Sequence, residues 1–278
     1  MTVAKETNAF AAFEKHNWEL SAQPYHQMLG ALTCQAADIL WDAVNQNQGV
    51  NSLLDLATGP GYFARYAAEQ GCKKVLGIDF SENMIALART LSPNFGNLNF
   101  KLGDAEQLQE EDAAFDAVTM NFGLLHLARP HQALYEAYRV LKPGGKFAFS
   151  VWSKPERAVG LGIVLAAITT FSDSALAIPD GPPFFYFSDE SNSLNGLKNA
   201  GFIQVSFQEI SLPWVVASGE DIFTAFLKGT ARTGGLLRLQ SQATLDLIRN
   251  KIYADSESYR KGDLLHIPMG IVLAVGTK

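Results

Sequence analysis

The residues best placed to do chemistry lie in Leu53-Leu-Asp-Leu-Ala-Thr-Gly-Pro-Gly-Tyr-Phe-Ala64. An apolar strand there runs straight into a helical segment across a turn that holds Gly59 and Gly61. Glycines at such a turn allow a tight reversal and let a ligand approach the backbone closely. The helix starting near Gly61 offers unpaired N–H groups to a polar or anionic ligand. Asp79 closes the next strand, where a carboxylate can accept hydrogen bonds from ribose hydroxyls. Gly59-x-Gly61-x-x-Ala64 followed by Asp79 also satisfies the dinucleotide fingerprint. The loop alone therefore leaves open a nicotinamide enzyme, and also a structural turn that binds nothing.

Four further features narrow the reading. Asp55 stands four residues before Gly59, near the C-terminal end of the first strand. An acid there repels a pyrophosphate but can hold an ammonium group through a charge-assisted bond, directly or through water. Gly103-Asp104-Ala105 follows the third strand, where a carboxylate can accept an adenine amino group. The fourth strand and its exit read Phe115-Asp-Ala-Val-Thr-Met-Asn121-Phe-Gly-Leu-Leu-His126-Leu127, and Val140-Leu-Lys-Pro-Gly-Gly-Lys146 leads into the fifth.

In order and spacing these motifs resemble the class I S-adenosylmethionine-dependent methyltransferases. Within that family the resemblance is to the small-molecule branch that includes the ubiquinone and menaquinone C-methyltransferases. It covers Leu53 to Trp152, and extends more weakly to Phe187-Ser-Asp189 and Ala200-Gly-Phe202. One position departs: the family usually has glycine two residues after the first-strand acid, where this chain has Ala57. That difference bears on how closely the loop packs. The resemblance implies S-adenosylmethionine as cofactor, with S-adenosylhomocysteine as product, and no metal. It places Asp55, Ala57, Gly59 and Gly61 at the methionine end and Asp79 at the ribose. Phe80 and Met84 would pack by the adenine, Asp104 and Ala105 would recognise its edge, and Asn121 would lie by the methionine end at the fourth strand's tip.

A sulfonium methyl is already electrophilic, so the protein's part is orientation, electrostatics and exclusion of water. His126 is the candidate general base, since it follows the fourth strand near the expected methyl position. A histidine there can equally pack the helix that follows. Pro182-Pro-Phe-Phe-Tyr-Phe187, after an apolar helical stretch, sits where the family inserts an acceptor-binding cap, and aromatic walls suit a flat or apolar acceptor. Phe10, Phe13 and Trp18 belong either to that pocket or to a core. Tyr25-His26 lies either on a segment folding over the cofactor or on plain surface. Ile222, Phe223, Phe226 and Leu227 read as a buried helix face.

The elements needed to hold these residues are visible as alternating patterns. Strands are predicted at 52–57, 74–79, 98–102, 117–120, 146–152, 202–212 and 267–275. Helices are predicted at 27–46, 61–70, 81–91, 130–141, 156–171, 188–200, 220–228 and 236–254, with the polar stretch 45–49 ending the first. Near-continuous apolar strands between helices imply a parallel sheet covered on both faces. The expected fold is α/β: a Rossmann-like three-layer α/β/α sandwich with a mostly parallel seven-stranded sheet, its last strand antiparallel, and a helical, aromatic cap insertion. Residues 1–50 form an N-terminal helical segment covering the cofactor site, 51–152 the cofactor-binding core, 153–200 the cap, and 201–278 the strands and helices that complete the sheet.

Of the 278 residues, 47% are hydrophobic and 18% charged, enough apolar surface for a large core. The formal charge of −6, without a basic stripe, argues against nucleic acid as partner. Two cysteines, Cys34 and Cys72, lack metal-type spacing and read as free thiols. Met1 to Phe13 lacks signal-peptide order, and the apolar run Ala158 to Phe171 is too short for a bilayer, which takes about 20 residues. The reading is thus a cytoplasmic enzyme with a small-molecule acceptor, no stable membrane insertion and an open oligomeric state. The alternatives are an NAD(P)-dependent oxidoreductase and a non-catalytic S-adenosylmethionine-binding protein.

Overall fold

The computed structural model describes residues 2–46 and 49–278. Asn47 and Gln48, in the polar stretch expected to end the first helix, lie outside the described residues. The chain runs α1 (Thr2–Met28), α2 (Gly30–Thr33), α3 (Ala37–Val44), β1 (Ser52–Leu56), α4 (Tyr62–Glu69), β2 (Lys74–Asp79), α5 (Glu82–Leu91), β3 (Leu98–Leu102) and β4 (Phe115–Asn121). It continues through α6 (Pro130–Val140), β5 (Leu141–Trp152), α7 (Val159–Phe171), α8 (Glu190–Asn199), β6 (Ile203–Val216), α9 (Gly219–Gly229), α10 (Arg232–Arg238), α11 (Gln242–Ser256), β7 (Arg260–Lys261) and β8 (Leu264–Thr277).

The strands are ordered β3-β2-β1-β4-β5-β8-β6. β1 lies parallel to both β2 and β4, β2 parallel to β3, and β4 parallel to β5. β8 is the antiparallel strand: its partners fall in number as those on β5 rise, from Gly144 N to Lys278 O and from Ser153 N to Gly270 O, both 2.9 Å. The mostly parallel sheet with its last strand reversed is as expected. The count differs, because among the described residues the sheet has eight strands where the sequence predicts seven. The extra strand is β7, two charged residues paired with β8 at Lys261↔Leu264. So short a segment has no alternation to read.

Two compact units divide the chain. One comprises Thr33–Val151, Pro182–Gln208 and Val272–Lys278, and holds β1 to β5 with α3 to α6 and α8. Its strands are apolar on both faces: Leu53, Leu54, Leu56, Val75, Ile78, Val118, Met120, Phe147 and Phe149 are all buried. Because β4 returns to the far side of β1, the chain reverses its winding between them, and the C-terminal ends of β1 and β4 frame the crevice where open α/β sheets take ligands.

The opposite end of these strands is clamped. Asp116 accepts from Ser52 N (2.8 Å), Asn51 N (3.0 Å), Ser52 Oγ (2.9 Å) and Lys142 Nζ (2.7 Å). Burial alone would raise this carboxyl, but the Lys142 ammonium and the Ser52 and Asn51 donors hold it below the usual carboxylate range. The Phe115-Asp116 and Leu141-Lys142 motifs thus join β1, β4 and β5 at the end away from the glycine loop.

The other unit, the chain up to Leu32 with Trp152–Gly181 and Glu209–Ile271, is mainly helical. The helix predicted at 27–46 is instead the last part of α1 followed by short α2 and α3, and the one predicted at 236–254 is broken between α10 and α11. Phe10 is buried under the Arg232 guanidinium (4.5 Å), and Glu14, 1% exposed, pairs with Arg232 at 3.1 Å. Phe13 occupies the space where Gly235 has no side chain. Phe10 and Phe13 are therefore packing residues of this unit.

Candidate active site

The site is built where β1 ends. Past Leu56 the backbone enters the left-handed region at Ala57 (φ +49°), Gly59 (φ +53°) and Gly61 (φ +77°), and Gly61 starts α4. Thr58 N donates to Ile78 O at 2.9 Å, which fastens the loop to β2. A Cβ on Gly61 would stand 2.5 Å from Phe100 Cζ and 3.2 Å from Ala88 Cβ, so only glycine fits over that ring. A Cβ on Gly59 would meet nothing within 4 Å. Gly61 is thus required by packing, whereas Gly59 opens onto free space.

Two carboxylates hold this loop. Asp55, 1% exposed, accepts from Thr58 Oγ1 at 2.6 Å and from Thr119 Oγ1 on β4 at 2.9 Å. Burial pushes its carboxyl up to about 7; the threonine hydroxyls and the Ala64 N–H pull it back, and the charge of Asp79 adds to the rise. Asp79, 5% exposed, accepts from Gly59 N at 2.8 Å with one oxygen and from Ser81 N at 2.9 Å with the other. Ser81 in turn caps α5, its Oγ accepting from Met84 N at 3.1 Å.

The remaining candidates surround that pair. Gly103 N donates to Asp79 O at 2.9 Å, which brings the Asp104 turn beside β2. Asp104 is exposed and accepts from Glu106 N at 2.8 Å, and Ala105 is buried. Met84 is buried and Phe80 half-buried. Glu106 fixes this turn from behind, accepting from Arg129 N (2.6 Å) and Arg129 Nε (2.9 Å). At the tip of β4, Asn121 donates from Nδ2 to Thr33 O (3.2 Å) and accepts at Oδ1 from Ser150 Oγ (2.5 Å). His126 closes a short helical turn, Leu124–His126, with its ring edge-on to Phe184 at 6.4 Å. Phe184 packs on Phe185 at 4.9 Å, and Phe187, buried, packs on Phe149 of β5 at 5.8 Å.

All of the predicted site residues, from Asp55 to His126, therefore gather in one unit at the C-terminal ends of β1 to β4. Sequence reasoning missed the residues that hold them: Thr58, Ser81, Phe100, Glu106, Thr119 and Ser150. Only Ser81 carried a legible signal, as a serine one residue before a helix start. Among the described residues there is no group of His, Cys, Asp and Glu side chains arranged to hold a metal ion.

Comparison with known proteins decides what this arrangement is. The methyltransferase domain family matches residues 54–149, the span from β1 to β5. A demethylmenaquinone methyltransferase of Renibacterium salmoninarum is 30% identical over 179 residues, covering 61% of this chain and 73% of that protein. The chain belongs to the class I S-adenosylmethionine-dependent methyltransferases. The ubiquinone/menaquinone biosynthesis C-methyltransferase of Geobacter sulfurreducens is 34% identical over 142 residues, 48% of the methyltransferase described here and 55% of its own length. Among solved structures, phosphoethanolamine N-methyltransferase 2 of Haemonchus contortus, in complex with phosphomonomethylethanolamine and S-adenosylhomocysteine, shares the fold with a TM-score of 0.60. It is 16% identical, and the match covers 97% of this methyltransferase and 60% of that chain. The enzyme's cofactor is S-adenosylmethionine.

The two loop glycines should separate in stability measurements on the methyltransferase. Gly59→Ala adds only the left-handed backbone cost, about 1–2 kcal/mol. Gly61→Ala adds to that an overpacking cost of about 1–3 kcal/mol from displacing the Phe100 ring. Urea unfolding reads the difference, and equal losses would contradict this assignment. Asp55 gives a pH signature. Its folded carboxyl titrates near 7, above the unfolded value, so its contribution to stability is full below the ordinary carboxylate pKa and is lost as pH rises through about 7. The wild type should therefore lose stability relative to Asp55→Asn between pH 5 and pH 8, and parallel curves would show that Asp55 does not titrate there.

Proposed function

We propose that this methyltransferase moves the sulfonium methyl of S-adenosylmethionine onto a small or medium-sized organic acceptor with a flat, apolar body. The observation that carries the cofactor assignment is the open space at Gly59, whose N–H is held by the buried Asp79, in a loop that the buried Asp55 grips through Thr58. Two carboxylates suit a ligand bearing an ammonium and a sulfonium, and repel the pyrophosphate of a dinucleotide. The oxidoreductase reading has no comparable support.

In this proposal Asp55, Ala57, Gly59 and Gly61 hold the methionine end, Asp55 acting through Thr58 and the start of α4. Asp79 takes the ribose hydroxyls, and Phe80, Met84, Asp104 and Ala105 receive the adenine. Asn121 lies by the methionine end at the tip of β4. The bound cofactor supplies an electrophilic methyl group. His126 takes the acceptor's proton as general base, while Phe184 and Phe185 form an aromatic wall beside it. Residues 51–152 form the cofactor-binding core. The overall acidity of the chain favours a small molecule over nucleic acid as acceptor, and no helix among the described residues is long and apolar enough to cross a membrane. We further propose a cytoplasmic setting, with S-adenosylhomocysteine as the released product.

Methyl-tritiated S-adenosylmethionine tests this with panels of phenols, hydroquinones and amines, beside RNA and protein controls. Label is expected in the small-molecule fraction, and His126→Phe should lower kcat about a hundredfold for an acceptor that must lose a proton. Label confined to macromolecules would contradict the acceptor class, and an unchanged kcat in His126→Phe would remove the histidine from the chemistry.

A further inference from the structure

Two non-glycine residues at the site lie in the left-handed region, Ala57 (φ +49°) and Phe122 (φ +56°), each just past the end of a parallel strand. A bulky residue keeps that backbone only where its surroundings impose it. Around Phe122 those surroundings are specific. Its N–H is shared between Ser150 O and Ser150 Oγ, both at 3.1 Å. The first is the ordinary ladder bond between β4 and β5, which are in register at Asn121↔Ser150. The second is made by a side chain fully buried on β5.

The Ser150 hydroxyl is used on both sides. It accepts from Phe122 N and donates to Asn121 Oδ1 at 2.5 Å. The direction of the Asn121 amide is set at its other end, because Thr33 O can only accept and therefore requires Nδ2 at 3.2 Å. The next residue is also constrained: a Cβ on Gly123 would stand 2.5 Å from Ala57 Cβ and 2.8 Å from Met120 Cγ. Ala57, where the family usually has glycine, thus puts its methyl against Gly123 and keys the β1 loop to the β4 turn.

We propose that Ser150 is a positioning residue of the methyltransferase, its hydroxyl locking the Asn121–Gly123 turn in the form that presents the tip of β4 to the methionine end of the cofactor. This rests on the role proposed above for Asn121. Ser150→Ala leaves the ladder bond from Phe122 N to the residue-150 carbonyl in place, so the sheet keeps its register. It removes the second acceptor for Phe122 N and leaves Asn121 Oδ1 without its buried donor, which frees the turn to leave its strained conformation.

The test is calorimetric titration of S-adenosylhomocysteine into wild type, Ser150→Ala and Ser150→Thr, with a thermal melt and amide hydrogen exchange of each. Ser150→Ala should bind at least tenfold more weakly, with faster exchange at Phe122 and Gly123 and little change in melting temperature. Ser150→Thr, which keeps the hydroxyl on a β-branched strand residue, should bind within threefold of wild type. Wild-type affinity in a folded Ser150→Ala protein overturns the proposal, and so does equal weakening in both variants, which would point to volume and not the hydroxyl. If Ser150→Ala does not fold, Ser150→Cys carries the same comparison with a weaker donor of similar size. Absence of binding by the wild type itself would overturn the reading of the cofactor site, and the lock with it, and is distinct from a wild type that binds beside an unaffected variant.

Discussion

The site depends on keeping two carboxylates, Asp55 and Asp79, out of water at the ends of adjacent parallel strands. Each charge is costly to bury, and the charge of Asp79 adds to the rise that burial imposes on the Asp55 carboxyl. The fold answers with donors placed for them alone: the hydroxyls of Thr58 and Thr119 on Asp55, and the amides of Gly59 and Ser81 on Asp79. These bonds also set the backbone, since an acid that grips Gly59 N draws the left-handed loop against β2. The carboxylates and the turn therefore stabilise one another. The negative charge that results selects a cationic ligand over a dianionic one.

Sheet topology turns this local arrangement into a site. The chain crosses from β3 back to β4 beside β1, so strand ends far apart in sequence meet at one edge. Strain collects at that edge, at Ala57 and Phe122, and is absorbed by contacts from Gly123 and Ser150. The other end of the same strands has the opposite character. There Asp116 ties Asn51, Ser52 and Lys142 together, and the motif residues hold the register of β1, β4 and β5. One end of the sheet fixes the strands and the other uses them.

The sequence showed those parts whose signal is local. β2 and β3 appear at the predicted boundaries because β2 is a short apolar run and β3 an apolar and polar alternation, each closed by turn residues, and the glycine loop is legible because Gly59 and Gly61 both take a left-handed backbone there. The extent of α1 was not legible within the N-terminal helical segment expected at 1–50, where only 27–46 showed helical spacing: α1 mixes polar and apolar residues without a clean stripe and contains Pro24, which reads as a break. Its packing comes from distant partners such as Arg232 with Glu14, more than 200 residues apart. The supporting residues of the site were hidden for the same reason. Thr119 looks like any strand threonine until Asp55, 64 residues earlier, is placed beside it, and Ser150 until β5 is laid against β4. Single-sequence patterns report what a residue does for its own element and are silent on pairings that the sheet creates.

Equilibrium binding of S-adenosylhomocysteine, compared with NAD⁺ and repeated on a folded Asp79→Ala variant, tests the central claim most directly. If the two buried acids organise a cofactor site, the wild type will bind S-adenosylhomocysteine and not NAD⁺, and the variant will bind at least tenfold more weakly because it loses both the ribose acceptor and the hold on Gly59 N. Equal affinity in the variant, or preference for NAD⁺, would contradict it.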